Sequence, residues 1–290
     1  MTTPTLESVQ AYYDERVDGK IRDFTHANPR IEAALQLVAE WAPPNPRRIL
    51  EIGSGIGATS WRMARAWPQA EVVGADVSPL SIEVAKTCFR LPNLTYHAGL
   101  IQENTPAGPF DLVVLMDTYE HIDLADRTML HAAIKSFLSR ESRLILTFPT
   151  PALQDYGRKN APSEQQPVDE DVTLEDVMVL AKETDSRPLY YREIGIWHYG
   201  DYAHLVLGRY QNLAEVALRG YAPGRVAALR QSFRRLLGRG QILPAGFCDY
   251  LGSDVLRPSP RCLADRFKVN SQERRRLVSS WLQRMQSKAC

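Results

Sequence analysis

The stretch RRILEIGSGIGATSWRMA, residues 47–64, decides the fold of this chain. Apolar residues run into three glycines, Gly53, Gly55 and Gly57, and a helical pattern follows at once. GSGIGA fits the pattern G-x-G-x-x-G/A, in which glycines allow a tight turn and let a ligand approach the N-terminus of a helix. The pattern alone leaves open a dinucleotide, a nucleoside that carries a sulfonium, or a tight turn that binds no ligand.

Strand and helix patterns alternate around this turn. Strands are predicted at 47–53, 71–77, 93–99, 110–117 and 143–149, and helices at 59–67, 79–89 and 123–139. Such alternation predicts an α/β fold with a doubly wound, mostly parallel sheet. Right-handed crossovers place the carboxyl ends of the strands, and the ligand site, along one edge.

Further elements flank this core. Helices are predicted at 5–18 and 29–41, the second with Asn28 as its cap and Pro29 in its first position. A helical C-terminal extension is predicted to follow the sheet.

Residues 150–170 are rich in Pro, Asn, Gln and Asp and predict a long loop of the kind that often closes a binding site. A helix capped by Thr173 and an antiparallel β-hairpin over 189–208 follow, which brings the sheet to seven strands.

Composition indicates an ordinary globular protein: 290 residues, 44 % hydrophobic and 24 % charged. No apolar run is long enough to cross a bilayer, and the polar N-terminus lacks a signal-peptide pattern. The cysteines, at 88, 248, 262 and 290, are scattered without the spacing of a zinc site or a disulfide framework. We therefore expect free thiols, no metal and a cytoplasmic location.

Acidic and basic residues are distributed unevenly along the chain. Residues 1–218 hold 20 basic and 30 acidic residues, a net charge of −10, whereas residues 219–290 hold 15 and 4, a net charge of +11. This asymmetry suggests a boundary near Gly220 and a basic tail with helices at 210–238 and 271–287. Those helices could pack on the body, form a homodimer, or lie on an anionic membrane surface. Nucleic acid ranks last because no recognisable RNA-binding module accompanies them.

Three carboxylates near the glycine turn indicate which kind of ligand it could bind. Glu51 lies two residues before the first glycine, Asp76 ends the second predicted strand, and Asp117 ends the fourth. A pyrophosphate beside Glu51 would be repelled unless that side chain pointed away, whereas a cationic amino-acid end would be attracted. The three carboxylates therefore suit a cationic ligand that also carries a ribose, and suit a dinucleotide poorly.

Four segments in order resemble the motifs of the class I S-adenosylmethionine-dependent methyltransferases. They are ILEIGSGIGATS (49–60), VVGADVSPLSIEVAK (72–86), FDLVVLMDTYEHI (110–122) and RLILTFP (143–149). The resemblance covers about residues 45–208, including the final hairpin. It implies a Rossmann-like sheet and S-adenosylmethionine as the cofactor.

The resemblance also implies which residues hold the cofactor. The methionine part would be surrounded by Glu51, Gly53, Ser54, Gly55 and Gly57, and the ribose would be held by Asp76. The adenine would be bordered by Val77, Gly99, Leu100 and Ile101, and the floor of the site lined by Met116 and Asp117. Leu100 departs from the acidic residue that relatives commonly carry there, and Gln102 or Glu103 could replace it.

The segment DTYEHID after the fourth strand is where acceptors bind in this fold. His121 is the candidate general base, since the unperturbed pKa of histidine lies near neutrality. A role in fixing a loop or capping a helix stays open for it, and Glu120 is expected to stabilise the next helix start. Tyr13 with His121 resembles the tyrosine–histidine pair of some small-molecule methyltransferases.

Aromatic residues supply the expected acceptor pocket: Tyr156, Trp197 and Tyr199 could stack against a sugar or a planar acceptor, or could simply form a hydrophobic hairpin face. The predicted function is methyl transfer to an oxygen of a small molecule or glycan. The alternatives are N-methylation, a nicotinamide-dependent oxidoreductase and a binding protein without turnover. The predicted units are an N-terminal helical lid (1–44), the cofactor-binding domain (45–209) and a basic helical extension (210–290).

Overall fold

The computed structural model describes residues 5–101, 106–209 and 260–288, and contains one seven-stranded sheet in the order β3-β2-β1-β4-β5-β7-β6. The strands are β1 (Arg48–Ile52), β2 (Glu71–Asp76), β3 (Leu94–Ala98), β4 (Phe110–Met116), β5 (Leu138–Pro149), β6 (Ser186–Ile194) and β7 (Tyr202–Arg209). Strands β1 to β5 pair in parallel, and β7 pairs antiparallel with both β5 and β6. The predicted α/β fold with a terminal antiparallel hairpin is confirmed.

Helices cover the sheet. They are α1 (Leu6–Glu15), α2 (Val17–His26), α3 (Pro29–Trp41), α4 (Ala58–Ala66), α5 (Pro79–Cys88), α6 (Leu124–Phe137), α7 (Pro151–Asn160), α8 (Leu174–Glu183), α9 (Pro260–Phe267) and α10 (Ser271–Lys288). A short 3-10 turn, Tyr119–His121, follows β4.

The central strands are buried on both faces, which explains their near-continuous apolar sequence. Neighbouring residues such as Ile49 and Leu50 of β1 point into two different hydrophobic cores. The core on one face includes residues from α3, α4, α5, α9 and α10. The core on the other includes residues from α6 and α8. The sheet is therefore a rigid platform for whatever its edge holds.

The chain changes direction between β1 and β4. It runs from β1 outward through β2 to β3, then returns to place β4 on the other side of β1. In open α/β sheets a crevice forms at such a switch, beyond the carboxyl ends of the strands. The glycine turn after β1 and the DTYEHID segment after β4 both lie there.

The predicted N-terminal helix over 5–18 is wrong as a single element. Helix α1 ends at Glu15, and Arg16, outside helical geometry at φ −98° and ψ 4°, separates it from α2. The helix predicted at 29–41 is confirmed, with the Asn28 side chain accepting the Arg30 N–H at 3.1 Å.

The predicted long loop at 150–170 is only partly right, because α7 occupies Pro151–Asn160. Its proline stands at the first helical position, where no intrahelical N–H is needed. The fifth strand is longer than predicted and begins at Leu138, so α6 ends at Phe137 instead of Ser139. A register shift between Phe110 and Leu112 lets β5 start early.

The C-terminal helices belong to the same compact unit as the sheet. Helix α9 packs on α3 and α4, and α10 packs on α2 and α5. The helix predicted at 271–287 is confirmed, while the one at 210–238 and the boundary near Gly220 lie outside the described residues. Within 5–101, 106–209 and 260–288, no helix combines the length and apolar character that a bilayer crossing requires.

Candidate active site

The glycine turn is built from left-handed backbone. Gly53, Gly55 and Gly57 have φ of 75°, 53° and 81°, a region that glycine enters without steric cost. A methyl group on Gly53 would overlap the Thr118 side chain, and one on Gly57 would lie 2.6 Å from Tyr96. Gly55 differs, because a methyl group there would meet only the Lys20 side chain at 3.6 Å. Gly53 and Gly57 are therefore needed because neighbouring side chains pack closely against them, whereas Gly55 faces Lys20 of α2.

Asp76 anchors this turn from the end of β2. Its carboxylate accepts the Gly55 N–H at 2.7 Å and the Ser78 N–H at 2.9 Å. The Ser54 hydroxyl beside it is buried and has no hydrogen-bond partner. The turn thus offers a carboxylate and an unused hydroxyl at the carboxyl edge of the sheet.

Glu51 is tied to the first turn of α4. Its two carboxylate oxygens accept from the Thr59 and Ser60 hydroxyls, and the residue is 1 % exposed. Burial raises the pKa of Glu51 to about 7, although these hydrogen bonds oppose the rise. Helix α4 begins at a glycine that cannot cap it, so Glu51 helps to hold this helix end. Its predicted contact with a cofactor stays a prediction.

Helices α1 and α2 lie across the turn. Asp14 accepts from the Ser78 hydroxyl at 2.5 Å and from the Leu80 N–H at 3.2 Å at the start of α5. Lys20 donates to the Ser81 hydroxyl at 3.3 Å, and its ammonium lies 5.0 Å from the centre of the Tyr13 ring. These contacts place the two helices as a cover over the site, consistent with the predicted lid, whose boundaries stay a prediction.

The remaining residues predicted for the cofactor follow β2, β3 and β4. Val77 is half-buried, Gly99 donates its N–H to the Asp76 carbonyl at 3.0 Å, and Leu100 is 42 % exposed. Ile101 and Met116 are buried. Gln102 and Glu103 lie outside the described residues.

Asp117 ends β4 in a left-handed conformation with φ of 51°. Its carboxylate lies 3.2 Å from the Arg30 Nε, and Arg30 also donates to the Tyr202 hydroxyl at 3.1 Å. Burial raises the pKa of Asp117, and the charge of Arg30 opposes that rise. A strained aspartate at the end of a central strand is typical of a functional site.

Glu120 is the most deeply buried of the neighbouring acids, with 1 % exposure. Its Oε2 has no hydrogen-bond partner, and its Oε1 lies 3.7 Å from the His121 Nε2. Burial and the negative charge of Asp117 raise its pKa to about 7, although the charge of His121 lowers it. The expectation that Glu120 stabilises the next helix start is wrong, since Asp123 caps α6.

His121 is held from both sides of its ring. Nδ1 lies 2.9 Å from the Val168 carbonyl and 3.1 Å from an Asp169 carboxylate oxygen. Nε2 lies 2.9 Å from the Gln166 amide nitrogen. Burial alone would lower the pKa of His121, but Glu120 and Asp169 outweigh it and raise the pKa above its ordinary value. The ring is therefore fixed in direction and easily charged.

Tyr13 closes the cluster from above. Its ring lies 6.3 Å from the His121 ring at an interplanar angle of 60°. Burial, reinforced by Glu120 and Asp76, raises the pKa of Tyr13 well above its usual range, so its hydroxyl stays neutral. We call Tyr13, Arg30, Asp117, Glu120 and His121 the strand-four cluster.

The predicted acceptor residues lie near the same edge. The residues that precede β7 include Trp197 and Tyr199, which are 51 % and 104 % exposed. The Tyr156 ring lies 5.2 Å from the His198 ring, and the Trp197 ring lies 5.8 Å from the Tyr202 ring. Since Tyr202 pairs with Pro149 at the end of β5, these aromatics border the crevice. Their contact with an acceptor stays a prediction.

The sequence missed several residues of this site. Arg30 follows the proline that starts α3, and Tyr202 starts β7, so neither carries a motif. Asp169 and Gln166 lie in the segment expected to form a loop, and their polar character was the only signal that could have pointed to them. The signal for Glu120 was its position beside His121.

A family model gives independent information. Residues 49–141 match the model described as "Methyltransferase domain". The matched residues contain the glycine turn and the Asp117–His121 segment. This confirms the family resemblance that the motifs predicted.

Two curated proteins are similar to part of the chain. The ubiquinone biosynthesis O-methyltransferase of Mesorhizobium japonicum is 36 % identical over 117 residues, covering 36 % of this chain and 46 % of that protein. The trans-aconitate 2-methyltransferase of Streptomyces avermitilis is 32 % identical over 109 residues, covering 34 % and 40 %. The chain thus spans less than half of the length of these relatives.

A solved structure agrees in fold. Human N-acetylserotonin methyltransferase, in complex with S-adenosylmethionine, superposes with a TM-score of 0.56 at 14 % sequence identity, covering 73 % of this chain and 61 % of that one. At this identity the likeness shows the fold alone.

Proposed function

We propose that this protein is an S-adenosylmethionine-dependent methyltransferase acting on an oxygen of a small molecule or glycan, a proposal supported by the match of residues 49–141 to a methyltransferase-domain model. The observation that carries the proposal is the strand-four cluster: a fixed histidine among buried carboxylates, next to the glycine turn.

The residues of the turn fit the cofactor. A methyl group on Gly55 would meet only the Lys20 side chain, Asp76 provides carboxylate oxygens for ribose hydroxyls, and the buried Ser54 hydroxyl lacks a partner. A cationic ligand also suits a site that contains Asp76, Asp117 and Glu120. When bound, S-adenosylmethionine supplies an activated methyl group on a sulfonium.

The chain's own residues would orient and deprotonate the acceptor. His121 is the general base, because hydrogen-bond partners hold its ring in place and an imidazole nitrogen can accept a proton. Tyr13 keeps water from the reacting atoms and packs against the imidazole ring. The lid of α1 and α2 would open to admit both ligands.

The acceptor would bind between the cluster and the exposed aromatics Tyr156, Trp197 and Tyr199, where a sugar or planar ring could stack. Two relatives named for small molecules, ubiquinone biosynthesis and trans-aconitate, support a small acceptor. N-methylation is the second candidate, favoured by the unpartnered carboxylate oxygen of Glu120, which could hold an amine. A nicotinamide-dependent oxidoreductase and a binding protein without turnover rank below both.

Two further expectations belong to this proposal. We propose that the protein acts in the cytoplasm. Exposed arginines of α10, such as Arg275 and Arg276, give that helix a basic surface. They suit an anionic membrane or a second copy of the chain better than nucleic acid, because no recognisable RNA-binding module accompanies them.

The proposal is tested with tritiated S-adenosylmethionine. The purified protein is incubated with small-molecule, lipid, RNA and protein fractions of an extract from its own source cells. Label is expected in the small-molecule or lipid-linked glycan fraction. Label found only in RNA or protein would contradict the proposed acceptor class, and binding of NAD without binding of S-adenosylmethionine would contradict the proposed enzyme class.

A further inference from the structure

The segment after α7 contributes two side chains to His121, and no sequence motif marks them. Asp169 reaches Nδ1 of the imidazole at 3.1 Å, and Gln166 reaches Nε2 at 2.9 Å. The Asp169 carboxylate also accepts the backbone N–H of Gln166 at 2.9 Å. The two residues are therefore fixed to each other as well as to the histidine.

The neighbours of Nδ1 determine where its proton lies. The Val168 carbonyl can only accept a hydrogen bond, and so can the Asp169 carboxylate when it is ionised. Burial opposes ionisation, but the hydrogen bonds from His121 and Gln166 outweigh it and lower the pKa of Asp169. Nδ1 must therefore carry hydrogen, which leaves the lone pair of the neutral ring on Nε2.

The neighbours of Nε2 show what that lone pair is used for. The lone pair on Nε2 accepts a hydrogen bond from the Gln166 amide. Gln166 lies on a non-helical segment, and a ligand group could take the place of its amide. On the other side lies Glu120, whose Oε1 is 3.7 Å away. A negative charge at this distance favours a proton on the ring. The arrangement is suited to receive a proton from a group that takes the place of the Gln166 amide.

We propose, on the basis of the proposed function, that Asp169 is a positioning residue that holds His121 as the Nδ1–H tautomer, and that the acceptor is a hydroxyl group which displaces the Gln166 amide from Nε2. The acceptor O–H bond breaks as an N–H bond forms on Nε2. The acceptor oxygen would take the methyl group as the bond between that methyl group and the cofactor's sulfur breaks, with S-adenosylhomocysteine as the leaving group. The proton then leaves the imidazolium for solvent.

This arrangement favours a hydroxyl group over a carboxylate as the acceptor. A carboxylate has no proton to lose at neutral pH, since its ordinary pKa is about 4. A built proton acceptor beside two buried acids therefore points to an alcohol or a phenol.

The charged groups that face His121 come from several elements. Glu120 and Asp117 approach from the end of β4, and Asp169 from the segment after α7. Tyr13 of α1 is neutral, and Arg30 of α3 pairs with Asp117. Removing the Asp169 charge is expected to lower the pKa of His121, because fewer negative charges then stabilise the imidazolium.

Nitrogen-15 NMR of the histidine side chains tests the positioning role without any cofactor. The full chain, Asp169→Asn and the control Asp171→Asn are titrated, and His121 is assigned with His121→Gln. Asp171 lies two residues away and pairs with Arg158 at 3.0 Å instead of with His121. We expect neutral His121 to be protonated on Nδ1, and its pKa to fall by about one unit in Asp169→Asn alone.

Either of two results would overturn the positioning role: neutral His121 protonated on Nε2 in the unmodified chain, or an unchanged pKa in a folded Asp169→Asn protein. The first result needs no variant, so a folding failure does not remove the test. These outcomes do not depend on cofactor binding, which tests the proposed function separately by calorimetry.

The acceptor class is tested on the labelled product of the tritium assay. Base treatment releases methanol from a methyl ester, but leaves a methyl ether intact. We expect the label to stay with the product. Volatile label after base treatment would identify a carboxylate acceptor and overturn the hydroxyl assignment.

Discussion

Two partly buried arginine–carboxylate groups in this protein have the same chemistry, but only in one of them does every arginine nitrogen have a hydrogen-bond partner. One, which we call the arginine junction, joins Glu32, Arg62 and Arg274. The other is the Arg30–Asp117 pair of the strand-four cluster. In the junction every guanidinium nitrogen has a partner, including the carbonyls of Phe267, Val269 and Phe24.

The strand-four cluster lacks that completeness. The Glu120 Oε2 is buried without a hydrogen bond, and the Arg30 Nε meets Asp117 at 3.2 Å as an ion pair without hydrogen-bond geometry. The two acids, Asp117 and Glu120, have raised pKa values because burial penalises their charge. Buried polar groups are nearly always satisfied in folded proteins, so the unpartnered Glu120 oxygen at this sheet edge is expected to meet its partner in a ligand. The junction stabilises the fold, and the cluster is available for binding and chemistry.

The largest expected effect separates two buried histidines. His121→Ala should lower the rate constant of methyl transfer by about 10²- to 10⁴-fold, the range for loss of a general base. His131→Ala is the matched control, since the buried His131 ring bonds to Tyr119 and Glu183 instead of to a residue of the strand-four cluster. We expect it to lower stability and leave kcat nearly unchanged. Single-turnover kinetics on both variants checks this, and equal rate losses would contradict the distinction.

Breaking the junction should change stability instead of chemistry. Arg274→Ala removes contacts to Glu32 and to the α2 carbonyl of Phe24, and should cost about 3 kcal/mol of unfolding free energy. The exposed neighbour Arg275 supplies the control, and Arg275→Ala should change stability by less than about 0.5 kcal/mol. Urea unfolding measures both. Similar losses of unfolding free energy in the two variants would mean that the junction stabilises the fold no more than an exposed arginine does.

The pH dependence of stability should distinguish the two groups. The folded pKa of Glu120 is about 7, above its unfolded value of 4.5, so the folded state binds more protons between these values. Stability from this residue is thus full below about pH 4.5 and is lost as the pH rises through 7. Glu120→Gln should remove a loss of about 1–3 kcal/mol between pH 5 and 8. Arg274→Ala should keep this pH-dependent loss of stability. Urea unfolding at pH 5 and at pH 8 measures the loss in both variants.

The smallest effect is expected outside both groups. Tyr199 is fully exposed, so Tyr199→Ala should alter the unfolding free energy by less than about 0.5 kcal/mol. If the ring stacks on the acceptor, KM should rise a few-fold with kcat unchanged. The exposed Met129 on α6 offers a control substitution remote from the hairpin. An unchanged KM would remove Tyr199 from the acceptor site.

The sequence predicted the fold well because its signals are local. The first five strands are mostly apolar runs that alternate with helical patterns, and Gly53 and Gly57 mark a turn in left-handed backbone. Helix α7 was missed because its residues, including Asn160 and Gly157, favour loops. Its stability comes from docking beside β5, which a single sequence does not display.

The site was predictable only where it follows a motif. His121 and Asp117 come directly after β4, and the pairing of Tyr13 with His121 came from the family resemblance. Arg30, Asp169 and Tyr202 arrive from distant elements, and only the folded chain brings them to one place. Likewise, the junction unites residues from α3, α4 and α10 that no spacing connects.

Calorimetric titration of the purified protein with S-adenosylhomocysteine and with NAD tests the central claim most directly. We predict that S-adenosylhomocysteine binds, that NAD does not, and that Asp76→Asn weakens binding at least tenfold, while Asp155→Asn on the exposed face of α7 does not. Binding of NAD in place of S-adenosylhomocysteine, or equal affinity in folded Asp76→Asn, would contradict the account.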